Sequence, residues 1–522
     1  MTLHLWQSML ICPRSTRHDT KDAILERIKR IEEATAEIGV FRRNATSFSS
    51  LTSSSFEAPL VSARKNQSNS PPTGPAQSNG QIYFSGLQLG TVDSRSGMPS
   101  LSRVGIDWIF KATGQSPSFE YLSNGGSDFA VTSKNQPASS RKELRVSPSQ
   151  KPELPKRSMV ESLLQIFLES DLPLVFPIID QVLFGDTLNT AYGLENEGDP
   201  TQRLAAKACV FAFACFVGVY LGDTDLGSSI DVDSYASESN ILVSSILEEP
   251  SLTMLQTMLM LGLYNVVSGR FRTGTMLHAA ICRALFILGG HAAVSAPMVN
   301  DEPLSLRQRE DRQLRWIFWL CYTFDKDISL RTGQPCLLHD EFCDLTLPQE
   351  YFGRRFALKT QSHDRSSPSR YREEDLLLPC DLRLSIIKSK ACRLLYSTPA
   401  LKKSDAELLR SIRELDEEVE DWRVSLLPNS APSFSIPKLS TWSLGSSMRK
   451  SMQHAELHLQ YHHLLSAIHH ASGRCESLKR HGTEQARASI LESSLALSVE
   501  ASRSTLMYLS VAVHGLTSEA AW

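Results

Sequence analysis

The sequence predicts an all-α fold, with one large multi-helix domain at residues 158–522. Three observations support this prediction. From residue 158 onward, apolar residues recur at intervals of three and four, as one face of an amphipathic helix requires. Several of these runs begin at a residue type that caps helices, and the alternation typical of strands is rare. The 522 residues are also enough to bury a sizeable hydrophobic core.

Capping residues mark the ends of individual helices in this domain. Ser251 is predicted to begin one helix, and the pair Gly289 and Gly290 to end the next. Ser404 and Glu407 have the spacing of a capping box. Further helices are predicted at about 306–328, 447–472 and 484–513.

The longest apolar run extends over 13 residues from Cys209 to Leu221. It is too short to span a bilayer, so we interpret it as a buried core helix and expect no membrane partner. The apolar N-terminus has no basic segment and no small-residue cleavage site, so a secretory signal is not expected. The ten cysteines have no regular spacing, which indicates reduced thiols in an intracellular protein.

Residues 1–157 differ from the helical domain in charge and composition. They hold 20 Lys and Arg against 13 Asp and Glu, whereas the rest of the chain holds 34 against 44. A basic tail is typical of nuclear import or weak phosphate contact, and a solvated disordered tail is the alternative. Much of 39–157 is rich in Ser, Asn, Pro and Gly, so we expect a mostly disordered linker with a docking segment near 82–115.

A short heptad pattern precedes this linker at residues 22–38. Ile24, Ile28, Ile31 and Ile38 lie on one seam, and charged residues fill the other faces. The pattern predicts a short coiled coil that joins two chains, with a lone surface helix as the alternative. Two heptads are marginal on their own, so pairing should need other contacts as well.

The most specific pattern lies at 314–348, which reads LRWIFWLCYTFDKDISLRTGQPCLLHDEFCDLTLP. An apolar helix with Trp316 and Trp319 leads to a polar cluster that begins at Asp325. A glycine-containing turn and an acidic segment that ends at Pro348 follow. This order resembles the signature of the fungal-specific transcription factor domain, the all-helical regulatory region of fungal zinc-cluster regulators.

The resemblance implies a nuclear regulator that acts as a homodimer or with a related zinc-cluster regulator. Such proteins contact the transcription machinery, and many control metabolic or biosynthetic gene sets. In the family a short coiled coil pairs two subunits, which is the role it implies for residues 22–38. The segment 82–115 is similar to one that precedes the regulatory domain in many filamentous-fungal regulators, so we expect it to dock on the domain or to act as an interaction motif.

The zinc cluster itself is not present in this chain. It needs six closely spaced cysteines to hold two zinc ions, and Cys12 is the only cysteine before Cys209. Either the module is absent, or residues 1–21 are an N-terminal remnant that follows a lost module. Promoter DNA would then be reached only through that module or a partner, and zinc would be a cofactor only if the module exists.

We interpret the end of the 314–348 helix as a regulatory latch and not as an active site. Its predicted members are Trp316, Trp319, Asp325, Arg331, Gly333, Gln334 and Pro335. Gly333 can supply the positive φ of the turn, and Pro335 fixes its exit. The family usually has Arg after this glycine, so with Gln334 any contact with an acidic partner element should be weaker unless Arg331 substitutes. The apolar positions predicted to face the core are 314, 317, 321, 324 and 328.

Two groups of residues suggest metal binding. The first is a stripe on one helix face, which could contribute to a helical-bundle metalloenzyme or form a pH-sensitive surface: His454, His458 and His462. The second could hold zinc but lacks a fourth ligand nearby: Cys336, His339 and Cys343. The stripe lies beside a core face formed by Leu457, Tyr461, Leu464 and Ile468, which favours a packing role for the histidines, and we expect no bound metal at either group.

The sequence contains none of three common catalytic motifs. It has no phosphate-binding glycine loop after a strand, no nucleophile elbow and no His-Glu-x-x-His helix. This absence speaks against an enzyme, and the resemblance to the fungal-specific transcription factor domain implies a transcriptional regulator. The alternative is a non-DNA-binding co-regulator that pairs with a zinc-cluster factor.

Overall fold

Helices form most of the described structure, which confirms the all-α prediction. It is a computed structural model that describes residues 80–84, 87–93, 99–114, 152–170, 172–193, 199–221, 227, 230–292, 304–348, 381–426, 431–434, 448–475, 494 and 496–509. The predicted coiled coil at 22–38, the segment 1–21 and most of the predicted linker lie outside these residues.

A small antiparallel sheet and one helix form the segment near residue 100. The sequence predicted a docking segment here but no strands. The elements are β1 (Gln81–Phe84), β2 (Leu87–Val92), β3 (Pro99–Leu101) and α1 (Arg103–Thr113). Strand β2 pairs with both neighbours, and β1 also contacts the turn at Ala471–Arg474 near the C-terminal end of the helical body.

Gly105 allows α1 to lie directly on β2. A β-carbon at this position would come within 1.9 Å of the Leu89 carbonyl oxygen, so no larger residue fits without movement of the backbone. The Ser102 hydroxyl caps α1 by accepting the Gly105 N–H at 3.1 Å, and it donates to Leu89 O at 3.0 Å. The sheet and helix are therefore joined through backbone contacts as well as side chains.

Most of the helical body belongs to a first hydrophobic cluster. It is built from α2 (Arg157–Glu169), α3 (Leu172–Val175), α4 (Gln181–Ala191), α5 (Pro200–Leu221), α6 (Val232–Ser245), α7 (Leu252–Val267), α8 (Phe271–Ile287) and much of α9 (Leu306–Thr332). Helix α5 contacts α4, α6 and α7. The ring of Phe213 in α5 packs on Phe184 at 4.6 Å and on Phe167 at 5.7 Å between centroids.

Helix α5 contains the apolar run that was predicted to be a core helix. By length and composition it could cross a membrane, but 72% of its most apolar window is buried inside the protein. Residues from Ala208 to Val217 are all buried, on every side of the helix. A helix that is apolar all round and enclosed by other helices is the centre of a core, so this prediction is confirmed.

A second hydrophobic cluster follows along the chain. Its elements are α10 (Leu382–Ala391), which continues into a π-helical turn (Cys392–Tyr396), a 3-10 turn (Ala400–Lys402), α11 (Asp405–Val424) and α12 (Met448–His470). Residues 496–509 are helical, and side chains from this segment contact α12. Trp422 of α11 stacks on Tyr461 of α12 at 6.3 Å.

The predicted capping residues have their expected roles. Ser251 accepts the Met254 N–H to begin α7, and Ser404 with Glu407 forms the capping box of α11. Helix α9 was predicted to end at Ile328 but continues to Thr332. The charged residues near position 326 do not end the helix because they are buried and paired, as described below.

The two hydrophobic clusters meet along α9 and α10. The middle of α9 lies in the first cluster, whereas Leu330 near its end packs against the second. Similarly, Leu382 belongs to the first cluster and Leu384 to the second. These two helices therefore join the clusters, and a group of charged side chains lies between them.

Candidate functional site

The candidate site is a group of five charged residues, four buried and one half-buried, at the junction of the two clusters. We call it the charged layer, and its members are Asp325, Lys326, Asp327, Asp340 and Lys388. The first three lie on α9, Asp340 lies in the loop that follows it, and Lys388 lies on α10. Charged side chains are rarely buried unless each has a partner, so the geometry of this layer decides what it can do.

Asp325 is nearly fully buried, and its carboxylate accepts three hydrogen bonds. The backbone N–H groups of Leu337 and Leu338 donate at 2.8 and 3.1 Å, and the Lys326 ammonium donates at 2.9 Å. The imidazole of His278, from α8, lies 3.8 Å from the carboxylate. Burial raises the pKa of Asp325, but His278, Lys326 and the Leu337 N–H together lower it to about 2. The carboxylate is therefore ionised.

Lys326 is completely buried and joins Asp325 to the following loop. Its ammonium group donates to the Leu338 carbonyl oxygen as well as to Asp325. It also lies 4.4 Å from the centroid of the Tyr322 ring, a cation–π contact. Burial lowers the pKa of Lys326, and the neighbouring Asp325 carboxylate raises it. The effect of the carboxylate is the larger in combination with the other nearby groups, so the pKa is above its usual value.

Asp327 and Lys388 form the second buried ion pair of the layer. The Lys388 ammonium donates to the Asp327 carboxylate at 2.5 Å and also to the side-chain oxygen of Gln460 on α12. Burial raises the pKa of Asp327, but the charges of Lys388 and Arg331 lower it below the usual value. This pair thus connects three helices that belong to different parts of the chain.

Asp340 completes the layer from the loop side. Its carboxylate accepts hydrogen bonds from the Tyr322 hydroxyl and the Ser389 hydroxyl, both at 2.7 Å. Burial and the adjacent Asp340 carboxylate raise the pKa of Tyr322 well above its usual value, so the hydroxyl stays protonated and donates. The loop is therefore held to α9 and α10 at one point.

The turn after α9 has the predicted conformation. Gly333 adopts φ 73°, and its N–H donates to the Ser329 carbonyl at 2.9 Å, which ends the helix in a left-handed cap. The Gln334 N–H donates to the Thr332 hydroxyl, and Pro335 is exposed. The positive charge of Arg331 helps to lower the pKa of Asp327.

The aromatic half of α9 supports the layer from the first cluster. Trp316 and Trp319 are both buried, and Trp319 has no exposed surface. Arg315 lies over the Trp319 ring at 5.2 Å and donates to the carbonyl oxygens of Asp344 and Thr346, both at 2.7 Å. Of the positions predicted to face the core, 317 and 321 are fully buried and 314, 324 and 328 are half-buried. Residues 318–320, on other faces of α9, are buried as well, so the core is not confined to the predicted face.

This arrangement is suited to holding structure and poorly suited to acid–base chemistry. Each carboxylate of the layer accepts hydrogen bonds from two or more protein groups or is paired with a buried lysine. A carboxylate with a pKa near 2 is a weak general base at neutral pH, since catalytic bases work best with a pKa near the working pH. The layer connects α8, α9, the loop, α10 and α12.

The described residues support neither of the two candidate metal sites. Among them, no group of three His, Cys, Asp or Glu residues is arranged to hold a metal ion. The surface interpretation of the histidine stripe is wrong for His458 and His462, which are buried because 431–434 and 496–509 cover them. Burial lowers the pKa of His462 to about 4, so its imidazole is neutral. The side chain of His454 lies outside the described residues.

Comparison with known proteins identifies this helical body. Residues 167–424 match the model of a family described as the fungal specific transcription factor domain. The chain carries a fungal-specific transcription factor domain. The match runs from the end of α2 to the end of α11, so it contains all five members of the charged layer.

Curated relatives have names that agree with this family. An ABC-transporter-regulating transcription factor of Aspergillus fumigatus is 29% identical over 232 residues, which is 44% of this chain and 24% of the relative. A protein of the same name from Aspergillus oryzae is 28% identical over the same shares. An uncharacterized transcriptional regulatory protein of Schizosaccharomyces pombe is 24% identical over 36% of this chain and 22% of its own length. No solved structure matches the chain.

The fungal-specific transcription factor domain ends at residue 424 in this match, but the second hydrophobic cluster extends beyond it. Leu457, Leu464 and Ala501 belong to the same cluster as Leu415 of α11. Gln460, which accepts from Lys388, also lies beyond the matched residues. Helix α12 thus completes a packing unit that the family match covers only in part.

Several members of the site were not recognised in the sequence. Lys388, Asp340, Tyr322 and His278 all contact the layer, and none was predicted to do so. One signal was available for Lys388: it directly follows the apolar pair Ile386 and Ile387 within a short helical segment. A lysine in that position is either exposed or paired inside, and sequence alone does not decide between them.

Proposed function

We propose that this fungal transcriptional regulator is of the zinc-cluster type, acts in the nucleus and controls a metabolic or biosynthetic gene set. The charged layer would hold its regulatory domain in one arrangement, with the latch residues of α9 as the central part. The names of the two Aspergillus relatives support a gene set that includes ABC transporters. The chain spans about a quarter of those relatives' length.

One observation carries the latch proposal: the charged layer lies where two hydrophobic clusters meet. Two buried ion pairs there connect α9 to the loop and to α10, and α10 to α12. Buried ion pairs add little net stability compared with apolar side chains of the same shape, but breaking one is costly. Such a layer therefore favours one relative placement of the two clusters over others, which is what a regulatory domain with a defined resting state requires.

A reporter measurement tests this proposal in cells. The full chain is fused to an unrelated DNA-binding domain, and expression of a reporter gene is compared for wild type and Asp325→Asn. We expect reporter expression to change at equal protein level, since the substitution removes the charge that holds the loop. The matched control is Glu420→Ala, which breaks an exposed ion pair with Arg423 and should leave expression unchanged. Equal expression from wild type and Asp325→Asn would contradict the latch.

The second candidate is a co-regulator that does not contact DNA itself. The observation in its favour is that Cys12 is the only cysteine before Cys209, so the residues of this chain cannot assemble a zinc cluster. The chain would then act by pairing with a zinc-cluster factor through residues 22–38.

We predict that the chain of 522 residues does not bind duplex DNA with sequence preference. Any binding by the basic residues of 1–157 should be weak and should fall steeply as salt is raised, because it depends on phosphate contacts alone. Mobility-shift titrations with randomised duplexes at low and physiological salt would check this. Selection of a consistent sequence that survives physiological salt would overturn the prediction and with it the co-regulator proposal.

We also predict that residues 22–38 mediate pairing. The double substitution Ile28→Asp and Ile31→Asp places two charges in the predicted seam, where burial would cost several kcal/mol. We expect the dimer fraction to fall in sedimentation experiments, together with the capture of a related zinc-cluster factor. A control is Glu32→Gln and Glu33→Gln, which changes charge outside the seam. If the seam variant pairs as well as the control, the coiled-coil prediction is wrong.

A further inference from the structure

Buried polar atoms without a hydrogen-bond partner cluster near the far end of the loop after α9. Arg315 is only 3% exposed, and its Nε and Nη1 atoms have no partner among the described residues. The same holds for the indole N–H of Trp319, one helical turn further along α9. After the end of α8, the Nδ1 atom of His291 is also buried and unpartnered within the described part of the chain. Most buried polar groups in proteins are hydrogen-bonded, so three such exceptions in one place indicate a partner from outside the chain.

These three side chains are neighbours through one segment of the loop. The Nη2 group of Arg315 donates to the carbonyl oxygens of Asp344 and Thr346, both at 2.7 Å. The Asp344 N–H in turn donates to the carbonyl oxygen of His291 at 2.8 Å. The Cζ atom of Arg315 lies 5.2 Å from the centroid of the Trp319 ring. The unused polar atoms therefore belong to residues that lie around Arg315 and Asp344.

The positive charge of Arg315 is neutralised only in part by the described residues. A guanidinium group has five N–H donors, and those on Nε and Nη1 are unused here. The Asp344 Oδ1 atom lies 3.9 Å from Nη2, beyond hydrogen-bond distance, and it already accepts the Thr346 N–H at 2.8 Å. Burial lowers the pKa of Arg315, and the Asp344 charge opposes this effect without overcoming it. A buried cation without a hydrogen-bonded anion is costly to the fold.

The two buried lysines of the charged layer are paired in the way that Arg315 is not. The Lys326 ammonium lies 2.9 Å from the Asp325 carboxylate, and the Lys388 ammonium lies 2.5 Å from that of Asp327. Each buried lysine thus has a carboxylate within hydrogen-bond distance. Arg315 is comparably buried and lacks such a carboxylate among the described residues, so its free donors have the character of an anion-binding group.

We propose that Arg315 binds the carboxylate group of a small organic acid. The ligand oxygens would accept from the free N–H groups of Arg315 and from the Trp319 indole. A carboxylate carries one negative charge, which matches one buried cation, whereas a phosphate dianion would leave excess negative charge beside Asp344. The rings of Phe318 and Trp319, at 4.6 and 5.2 Å from the Arg315 Cζ atom, provide apolar surroundings for the rest of an organic molecule.

The site lies on the same loop as the charged layer, at the other end of that loop. Asp325 holds the loop at 337–338, whereas Arg315 holds it at 344–346. His291 and Asp344 are half-buried, so the site is close to the surface. A bound carboxylate would therefore act directly on the loop that the latch proposal concerns. The inference does not depend on that proposal, because binding is measured on the isolated chain.

Calorimetric titration of the full chain tests the proposal. The probes are sodium formate, acetate and benzoate, the neutral controls are the three matching amides, and sodium chloride is the control for salt. We expect at least one carboxylate to bind at one site per chain, at least about tenfold more tightly than its amide and than chloride. If water alone occupies the donors of Arg315, no carboxylate binds more tightly than chloride, and the proposal is overturned.

Variants assign the binding to Arg315. Arg315→Met keeps a long side chain and removes the charge, so the affinity for the bound carboxylate should fall at least about tenfold. Arg312→Met is the matched control, since Arg312 lies on the same helix, is partly exposed and pairs with Asp180. Its affinity for the carboxylate should equal that of wild type, and circular dichroism shows whether each variant is folded.

A second variant removes only a neutral donor. Trp319→Phe keeps an aromatic ring and loses the indole N–H, so carboxylate affinity should fall about threefold or more. Trp422→Phe removes an equally unpartnered indole N–H in the second hydrophobic cluster and should leave the affinity unchanged. Unchanged carboxylate affinity in folded Arg315→Met, or in Trp319→Phe should Arg315→Met not fold, would place the binding elsewhere and overturn the proposal.

Discussion

Replacing Asp325 with alanine is expected to lower the free energy of unfolding by about 3–5 kcal/mol. The substitution leaves the Lys326 ammonium buried beside one carbonyl oxygen and removes the acceptor of two backbone N–H groups. An uncompensated buried charge and two unpaired donors explain this size. Chemical denaturation of the full chain measures the change, provided that the transition that includes α9 is resolved.

A control and a pH series separate this mechanism from general damage. Glu420→Ala removes an exposed partner of Arg423 and should cost no more than about 1 kcal/mol. The folded-state pKa of Asp325 is about 2, below its usual 3.8, so its contribution is complete above pH 3.8 and is lost as pH falls toward 2. The difference between wild type and Asp325→Ala should therefore shrink on acidification. A loss equal to that of Glu420→Ala would contradict the assigned role.

Replacing Trp319 with alanine should cost about 3–5 kcal/mol for a different reason. Trp319 has no exposed surface and packs on Phe318 at 5.3 Å and Tyr322 at 5.5 Å between centroids. The shortened side chain leaves a cavity that the enclosed helix cannot fill. Its indole N–H has no hydrogen-bond partner among the described residues, and the expected loss comes from packing. Thermal or denaturant unfolding measures the effect.

The comparison variant for this position is Trp319→Phe. It keeps a six-membered aromatic ring and loses the N–H together with part of the indole volume, so it leaves a smaller cavity and its cost should be clearly smaller than that of alanine. Both variants should leave the Asp325 carboxylate ionised and its hydrogen bonds formed. If alanine and phenylalanine destabilise the protein equally, the cavity explanation is wrong and the ring makes a specific contact that alanine and phenylalanine both lose.

The sequence predicted those parts of the fold that depend on local signals. Ser251, Ser404 with Glu407, and Gly333 act within a few residues of their own position, and each has the expected geometry. The burial of α5 could likewise be predicted from its continuous apolar run. Hydrophobic periodicity and capping chemistry are local properties, so one chain is enough to read them.

What the sequence did not predict depends on contacts between distant parts of the chain. Lys388 pairs with Asp327 across 61 positions, and Gln256 donates to the Ile178 carbonyl across 78. The charges at 325–327 were expected at the end of a helix, and they instead lie inside a longer one because α8, α10 and the loop supply their partners. The sheet at 81–101 was missed since its strands are only three to six residues long.

Amide hydrogen exchange at Leu337 and Leu338 shows whether Asp325 fixes the loop after α9. Both N–H groups donate to this carboxylate, so we expect slow exchange in wild type and exchange at least about tenfold faster in Asp325→Asn, whose neutral amide is a weaker acceptor. Amides of α5, far from the layer along the chain, should exchange as in wild type. If Leu337 and Leu338 are equally protected in the folded variant, Asp325 does not hold the loop.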